Sequence, residues 1–111
     1  MRFRFHTLKD TSVVWRLVGD NHRPLGTSPG SFPDLDRAAR AAAAVRAAAG
    51  TASYEAALDD QLLWRWQMRV EGEEPLAVAV RPYQRRIDCV RAARRFQEQA
   101  PTATLDARTR F

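Results

Sequence analysis

The run Trp64-Arg65-Trp66-Gln67-Met68-Arg69-Val70 decides the fold. Its apolar residues at 64, 66, 68 and 70 alternate with polar ones at 65, 67 and 69, the period of two expected of a strand with one buried and one wet face. Fifty-one residues earlier stands Val13-Val14-Trp15-Arg16-Leu17-Val18, where Val13, Trp15 and Leu17 repeat the alternation and Trp15 matches Trp66. The same shift, without a gap, places Pro24 on Pro75, Leu25 on Leu76, Arg40 on Arg91, Ala41 on Ala92 and Ala42 on Ala93. Conservative matches fill the intervals: Phe3 with Tyr54, Leu17 with Met68, Phe32 with Tyr83, Ala38 with Cys89, and Val45 with Phe96. An alanine-rich chain matches itself by accident at alanine, so the aromatic and proline coincidences carry the weight. The chain reads as one unit written twice, residues 1–51 and 52–106, inside a single domain spanning 1–111.

Outward from the two alternating runs, each half spells strands and then a helix. A polar turn follows each run, Gly19 to Arg23 or Glu71 to Glu74, and leads into a second strand at 24–28 or 75–80, so each half contains a hairpin. A shorter alternating run precedes each hairpin, residues 2–6 with Phe3 and Phe5 on one side and 53–58 with Tyr54, Ala56 and Leu58 on one side. The helices announce themselves by stripes at helical spacing, Ala38, Ala41, Ala42, Val45 and Ala49 in the first and Cys89, Ala92, Ala93, Phe96 and Ala100 in the second. Asp34 is an N-cap residue for the first, whereas Arg85 stands where the second needs a cap. Gly50 and Pro101 end the two helices. Residues 102–106 offer one last edge strand, and 107–111 are expected to fray.

These residues also carry a likeness. The succession Phe3-x-Phe5, Val13-Val14-Trp15-Arg16-Leu17, Asn21-His22-Arg23-Pro24-Leu25-Gly26 and an alanine-rich helix, followed by Tyr54-Glu55, Leu63-Trp64-Arg65-Trp66, Pro75-Leu76-Ala77-Val78, Tyr83 and a second such helix, resembles the YegP family of small proteins over residues 2 to about 106. The resemblance implies an α+β fold in which two strand-strand-strand-helix units form one antiparallel sheet with both helices on one face, the strand after each helix being exchanged between units. It implies no catalytic residue, because the family offers none to transfer. The chain departs from the family pattern at Pro29-Gly30, at Arg81-Pro82 and in its arginine-rich second helix.

Composition narrows the function. At 111 residues with 45% apolar and 28% charged side chains, the chain suits one self-sufficient core and is too short for a multi-domain enzyme. Its lone cysteine, Cys89, makes neither an internal disulfide nor a thiolate metal site. The first residues lack the apolar stretch of a signal peptide, and the most apolar window, residues 38–49, carries Arg40 and Arg46; a cytoplasmic protein without a membrane span is expected.

Several motifs suggest chemistry, and a plainer reading wins at each. Gly26-Thr27-Ser28-Pro29-Gly30 fits the G-x-S-x-G nucleophile elbow, but both histidines precede the serine and the matching residue in the second half is Ala79. Cys89 has Arg85 and Arg86 nearby, yet it lies on the apolar stripe and matches Ala38. His6 and His22 have no partner at ligand spacing, and Asp59-Asp60 and Glu71-Gly72-Glu73-Glu74 lack the spacing of a calcium loop. No catalytic, metal or cofactor site is expected.

Charge supplies the one candidate contact surface. The chain carries a net charge of +5, and of its 18 basic residues only Lys9 is a lysine. Residues 81–95 hold six arginines, Arg81, Arg85, Arg86, Arg91, Arg94 and Arg95, against the single acid Asp88. Such a patch suits phosphate or nucleic-acid contact, with Arg2, Arg4, Arg16, Arg65 and Arg69 on the outer sheet face as a supplement. Against it, the aromatics Phe3, Phe5, Trp15, Trp64 and Trp66 all alternate onto the face expected under the helices, where no base stacks on them. Pairs within the helix, Asp88 with Arg91 and Arg94 with Glu98, are expected to absorb charge. The leading expectation is a non-enzymatic module that contacts another protein, or a second copy of itself, through an edge strand or helix. Weak, sequence-independent nucleic-acid binding is the alternative.

Overall fold

In the computed structural model, which describes residues 1–110 and the side chains of residues 1–105, each alternating run is a strand. The first half gives β1 (Arg2–Thr7), β2 (Val13–Val18), β3 (Pro24–Thr27) and helix α1 (Leu35–Ala48). The second gives β4 (Ser53–Leu58), β5 (Trp64–Arg69), β6 (Ala77–Val78), helix α2 (Arg86–Gln99), a 3-10 turn (Ala100–Thr102) and β7 (Thr104–Arg110). All seven strands form one sheet in the order β4-β5-β6-β3-β2-β1-β7.

The sheet is mixed, which corrects the expectation of a wholly antiparallel one. Five neighbouring pairs are antiparallel, but β7 runs parallel to β1, with Thr104 opposite Arg2 and Leu105 opposite Phe3. The cause is the helical crossover: α2 carries the chain back to the start of β1, where the Thr104 N–H donates to the Met1 carbonyl at 3.1 Å, so β7 sets out in the direction of β1. The expected frayed end, 107–111, has its side chains outside the described residues; the backbone of 107–110 belongs to β7, and Phe111 lies outside them.

Pairings recur at the spacing seen in the sequence. Arg2 opposite Val18, Phe3 opposite Leu17 and Phe5 opposite Trp15 have counterparts fifty-one residues on in Ser53 opposite Arg69, Tyr54 opposite Met68 and Ala56 opposite Trp66. The bridge from Val13 to Phe32 returns as Trp64 to Tyr83. The second hairpin departs from expectation in its second strand, which covers only Ala77–Val78 rather than 75–80, although the Leu76 and Ala79 N–H groups still donate to the Met68 and Trp66 carbonyls at 3.0 and 2.9 Å.

Both helices cover one face of the sheet and share one core with Phe3, Phe5, Trp15, Leu17, Trp66 and Met68. Burying an indole removes roughly 150–250 Å² from water, so Trp15 and Trp66 are the largest contributions. Phe3 meets Trp15 edge-on at 5.4 Å between ring centroids, and Phe96 from α2 meets Trp66 at 5.0 Å. These ring contacts offset a penalty: both buried indole N–H groups lack a partner among the described residues, at on the order of 1–3 kcal/mol each. Trp64 differs from expectation. It is half-buried at the start of β5, and the Arg86 guanidinium lies 6.0 Å from its ring centroid.

The helix starts follow the sequence. The Asp34 carboxylate accepts from the Arg37 N–H at 2.8 Å, while Arg85 takes the extended N-cap backbone with no side-chain cap. Among the described residues no helix is long and apolar enough to cross a membrane.

Candidate functional site

The six arginines of residues 81–95 do not form one surface. Arg85 turns back onto Asp88, with two contacts at 3.0 and 3.4 Å. This replaces the expected pairing of Asp88 with Arg91: Arg85 is the extended N-cap residue and Asp88 the third residue of the helix, a position whose side chain reaches back to the N-cap. Arg86 lies against Trp64, and Arg81 stacks over Tyr83 at 5.0 Å. Among the described residues no ion pair joins Arg94 to Glu98, and Arg91, Arg94 and Arg95 are exposed with no carboxylate within ion-pair distance. On the outer sheet face charge is partly absorbed: Arg65 binds Asp59 at 3.0 Å, and Arg69 stands 3.9 Å from Glu55.

Two depressions collect the available side chains. The larger, about 590 Å³, opens between the β2–β3 turn and α2; Arg81 and Arg95 line it together with Arg23, Tyr83 and Gln99. Arg23 was not among the sequence candidates, since nothing local links it to residues 81–95; the β3 to β6 pairing at Thr27 and Val78 brings the two regions together. Asp20, the one acid in the lining among the described residues, accepts from the Met1 ammonium at 2.7 Å, and that hydrogen bond holds its carboxyl below the usual range.

The smaller depression, about 260 Å³, is a groove between β4 and α2 walled by Tyr54, Ala56, Val90 and Ala93, with Arg94 and Gln97 at its rim. The Tyr54 hydroxyl donates to the Ala49 carbonyl at 2.8 Å, and burial pushes its pKa well above the ordinary value. Gln97 donates across to the Gly50 carbonyl at 3.1 Å. Among the described residues β4 pairs with β5 alone and forms one edge of the sheet. At its end Leu58, which pairs with half-buried Trp64, and Leu62 of the turn that follows stand 50% and 74% exposed.

The groups that suggested chemistry serve the framework. The Ser28 hydroxyl is buried; it donates to the Gly30 carbonyl at 2.7 Å and accepts from the Trp15 N–H at 3.4 Å. Cys89 is buried on the core face of α2, and burial pushes its thiol pKa up against the smaller opposing effect of Arg86, the reverse of an activated thiolate. Asp59 organises its own turn by accepting from the N–H groups of Gln61 and Leu63 at 2.8 and 3.0 Å.

The fold is shared with two solved structures. YegP from E. coli, described as a protein of unknown function, superposes with a TM-score of 0.77 at 13% identity, over 93% of this chain and 88% of that one. A UPF0339 protein from Shewanella oneidensis gives a TM-score of 0.79 at 12% identity, over 93% and 86%. The fold is therefore the YegP-like one that the residues resemble. No family model and no curated protein matches the chain.

Proposed function

We propose that the chain is a non-enzymatic, cytoplasmic interaction module, a duplicated unit that binds an extended segment of another protein along β4. The observation that carries this reading is the contrast between the two edges of the sheet. At one edge β1 is extended by β7: Leu105 lies beside Phe3, the Met1 carbonyl accepts from Thr104, and Arg46 reaches the Ala103 carbonyl at 3.5 Å. Fifty-one residues on from Phe3, Phe5 and Arg46 stand Tyr54, Ala56 and Gln97, and these line the open groove beside β4. The slot that β7 fills beside β1 thus has a counterpart beside β4 that no strand of the described residues fills. Its reason is topological: the strand that follows α1 is β4 itself, so no strand of the first half remains to cover it.

An edge strand with free N–H and C=O groups beside an apolar groove is the arrangement that strand addition uses. β7 supplies the template for the occupant, a segment parallel to the edge with a small residue followed by a threonine and a leucine that packs against the core. The duplication is supported by the recurring register. The non-enzymatic reading is supported by the framework roles of Ser28 and Cys89.

The test is a calorimetric titration of the chain with a synthetic peptide of residues 101–111. Saturable binding that is lost with Leu105→Asp in the peptide, and with Ala56→Arg in the groove, is the expected result. Absence of saturation, or binding indifferent to both changes, overturns it. Nucleic-acid contact through residues 81–95 is favoured only by the unpaired Arg91, Arg94 and Arg95. A duplex and a single strand titrated at two salt concentrations, with Arg91→Glu and Arg95→Glu combined, test that alternative.

A further inference from the structure

We propose that the cleft between the β2–β3 turn and α2 binds a small anion that carries a phosphate or pyrophosphate group. Its volume of about 590 Å³ lies within the range of small-molecule sites, roughly 300–1,000 Å³. Three arginines line it from separate parts of the chain: Arg23 from the turn before β3, Arg81 from the connection into α2, and Arg95 from the second half of α2. Among the described residues the only acid of the lining, Asp20, is held by the Met1 ammonium, and none of the three arginines has a carboxylate partner. The Arg81 guanidinium carbon lies over the Tyr83 ring, 5.0 Å from its centroid, and a planar guanidinium held in this way can still donate from its N–H groups.

The other half of the chain is an internal control on whether packing needs these groups. The apolar walls repeat, Pro24 as Pro75, Leu25 as Leu76 and Ala92 as Ala41. The polar lining does not: where this cleft has Arg23, Arg81, Arg95 and Gln99, the positions fifty-one residues away hold Glu74, Gly30, Ala44 and Ala48. One framework therefore occurs with and without the arginines, so their convergence follows from neither strand pairing nor helix packing.

The charge also selects the ligand class. Planar guanidinium groups match tetrahedral oxyanions with paired donors, and three of them around one cleft suit a compact ligand with more than one negative charge. A nucleic-acid strand instead needs a track of cations. Along residues 81–95 that track is broken, because Arg85 is tied to Asp88, Arg86 lies on Trp64, and Arg94 faces the β4 groove.

Amide NMR of the whole chain tests the assignment, with pyrophosphate as the probe and sodium chloride matched for ionic strength. Expected are saturable shifts confined to Gly19, Asn21, Tyr83, Ala92 and Gln99. Affinity should fall by about tenfold for Arg81→Gln and for Arg95→Gln and stay unchanged for Arg40→Gln on α1. All these side chains are exposed, and unchanged melting temperatures establish that the variants fold. Shifts that track ionic strength without saturating overturn the proposal. So does an equal loss in Arg40→Gln, tighter saturation by citrate, or preferential saturation by a single-stranded oligonucleotide along Arg91 and Arg94. The site is independent of the β4 groove and stands or falls by itself.

Discussion

Phe96 of α2 packs directly over the bare α-carbon of Gly26 in β3: a β-carbon there would stand 2.5 Å from Phe96 Cε2 and 3.0 Å from Trp66 Cη2. This glycine answers a demand for space, and the demand comes from the other half of the chain. Fifty-one residues away from these two stand Ala77 and Val45, a larger sheet residue with a smaller helix residue. Gly26→Ala is therefore expected to overpack the core and cost about 1–3 kcal/mol in urea denaturation. Combined with Phe96→Leu, the total loss should be smaller than the sum of the two single losses, because the shorter side chain makes room for the methyl group.

The two helix starts make a matched pair of experiments. Removing the carboxylate that caps α1, Asp34→Ala, is expected to cost about 1 kcal/mol. At α2 the N-cap backbone is already extended, but Arg85 supplies no acceptor. Arg85→Ser should therefore stabilise the protein by about 0.5–1 kcal/mol, since the exposed Arg85–Asp88 pair that it removes contributes little. Urea midpoints of the two variants, moving in opposite directions, check both statements.

Acid should loosen the β4–β5 turn. The Asp59 carboxyl is held below its ordinary value of 3.8 first by the Leu63 N–H and then by the Arg65 guanidinium. A carboxylate whose folded pKa is depressed adds stability that is fully present above its unfolded value and is lost as pH falls through the folded one. The melting temperature of the wild type should thus drop below about pH 4, and Asp59→Asn, already less stable at neutral pH, should show a smaller acid-induced drop. Equal drops in both proteins would contradict this role for Asp59.

Alternation and capping are local, and they were legible: Trp15, Leu17, Trp66 and Met68 are buried, as their period of two requires, and Asp34 caps α1. Strand direction between distant segments is not local. The parallel pairing of β7 with β1 depends on where α2 sets the chain down, which no spacing within 102–106 encodes. The candidate arginines were legible as a charge excess, but their fates were set by geometry. Asp88 could meet Arg85 or Arg91 at the same separation, and its place in the first turn, reaching back to the N-cap residue, selects Arg85. Arg23 enters the cleft through a tertiary contact that joins regions far apart in the chain. The β4 groove was equally hidden, because it is defined by the absence of a neighbour that its counterpart beside β1 possesses.

Strand addition at β4 is most directly tested by residue-resolved amide hydrogen exchange with the peptide of residues 101–111. Slowed exchange at those amides of Ser53–Leu58 that do not bond to β5, together with unchanged protection of β1, is the result expected when a strand adds to this edge. Unchanged exchange along β4 at saturating peptide, or loss of protection at β1 as the peptide displaces β7, would contradict the account.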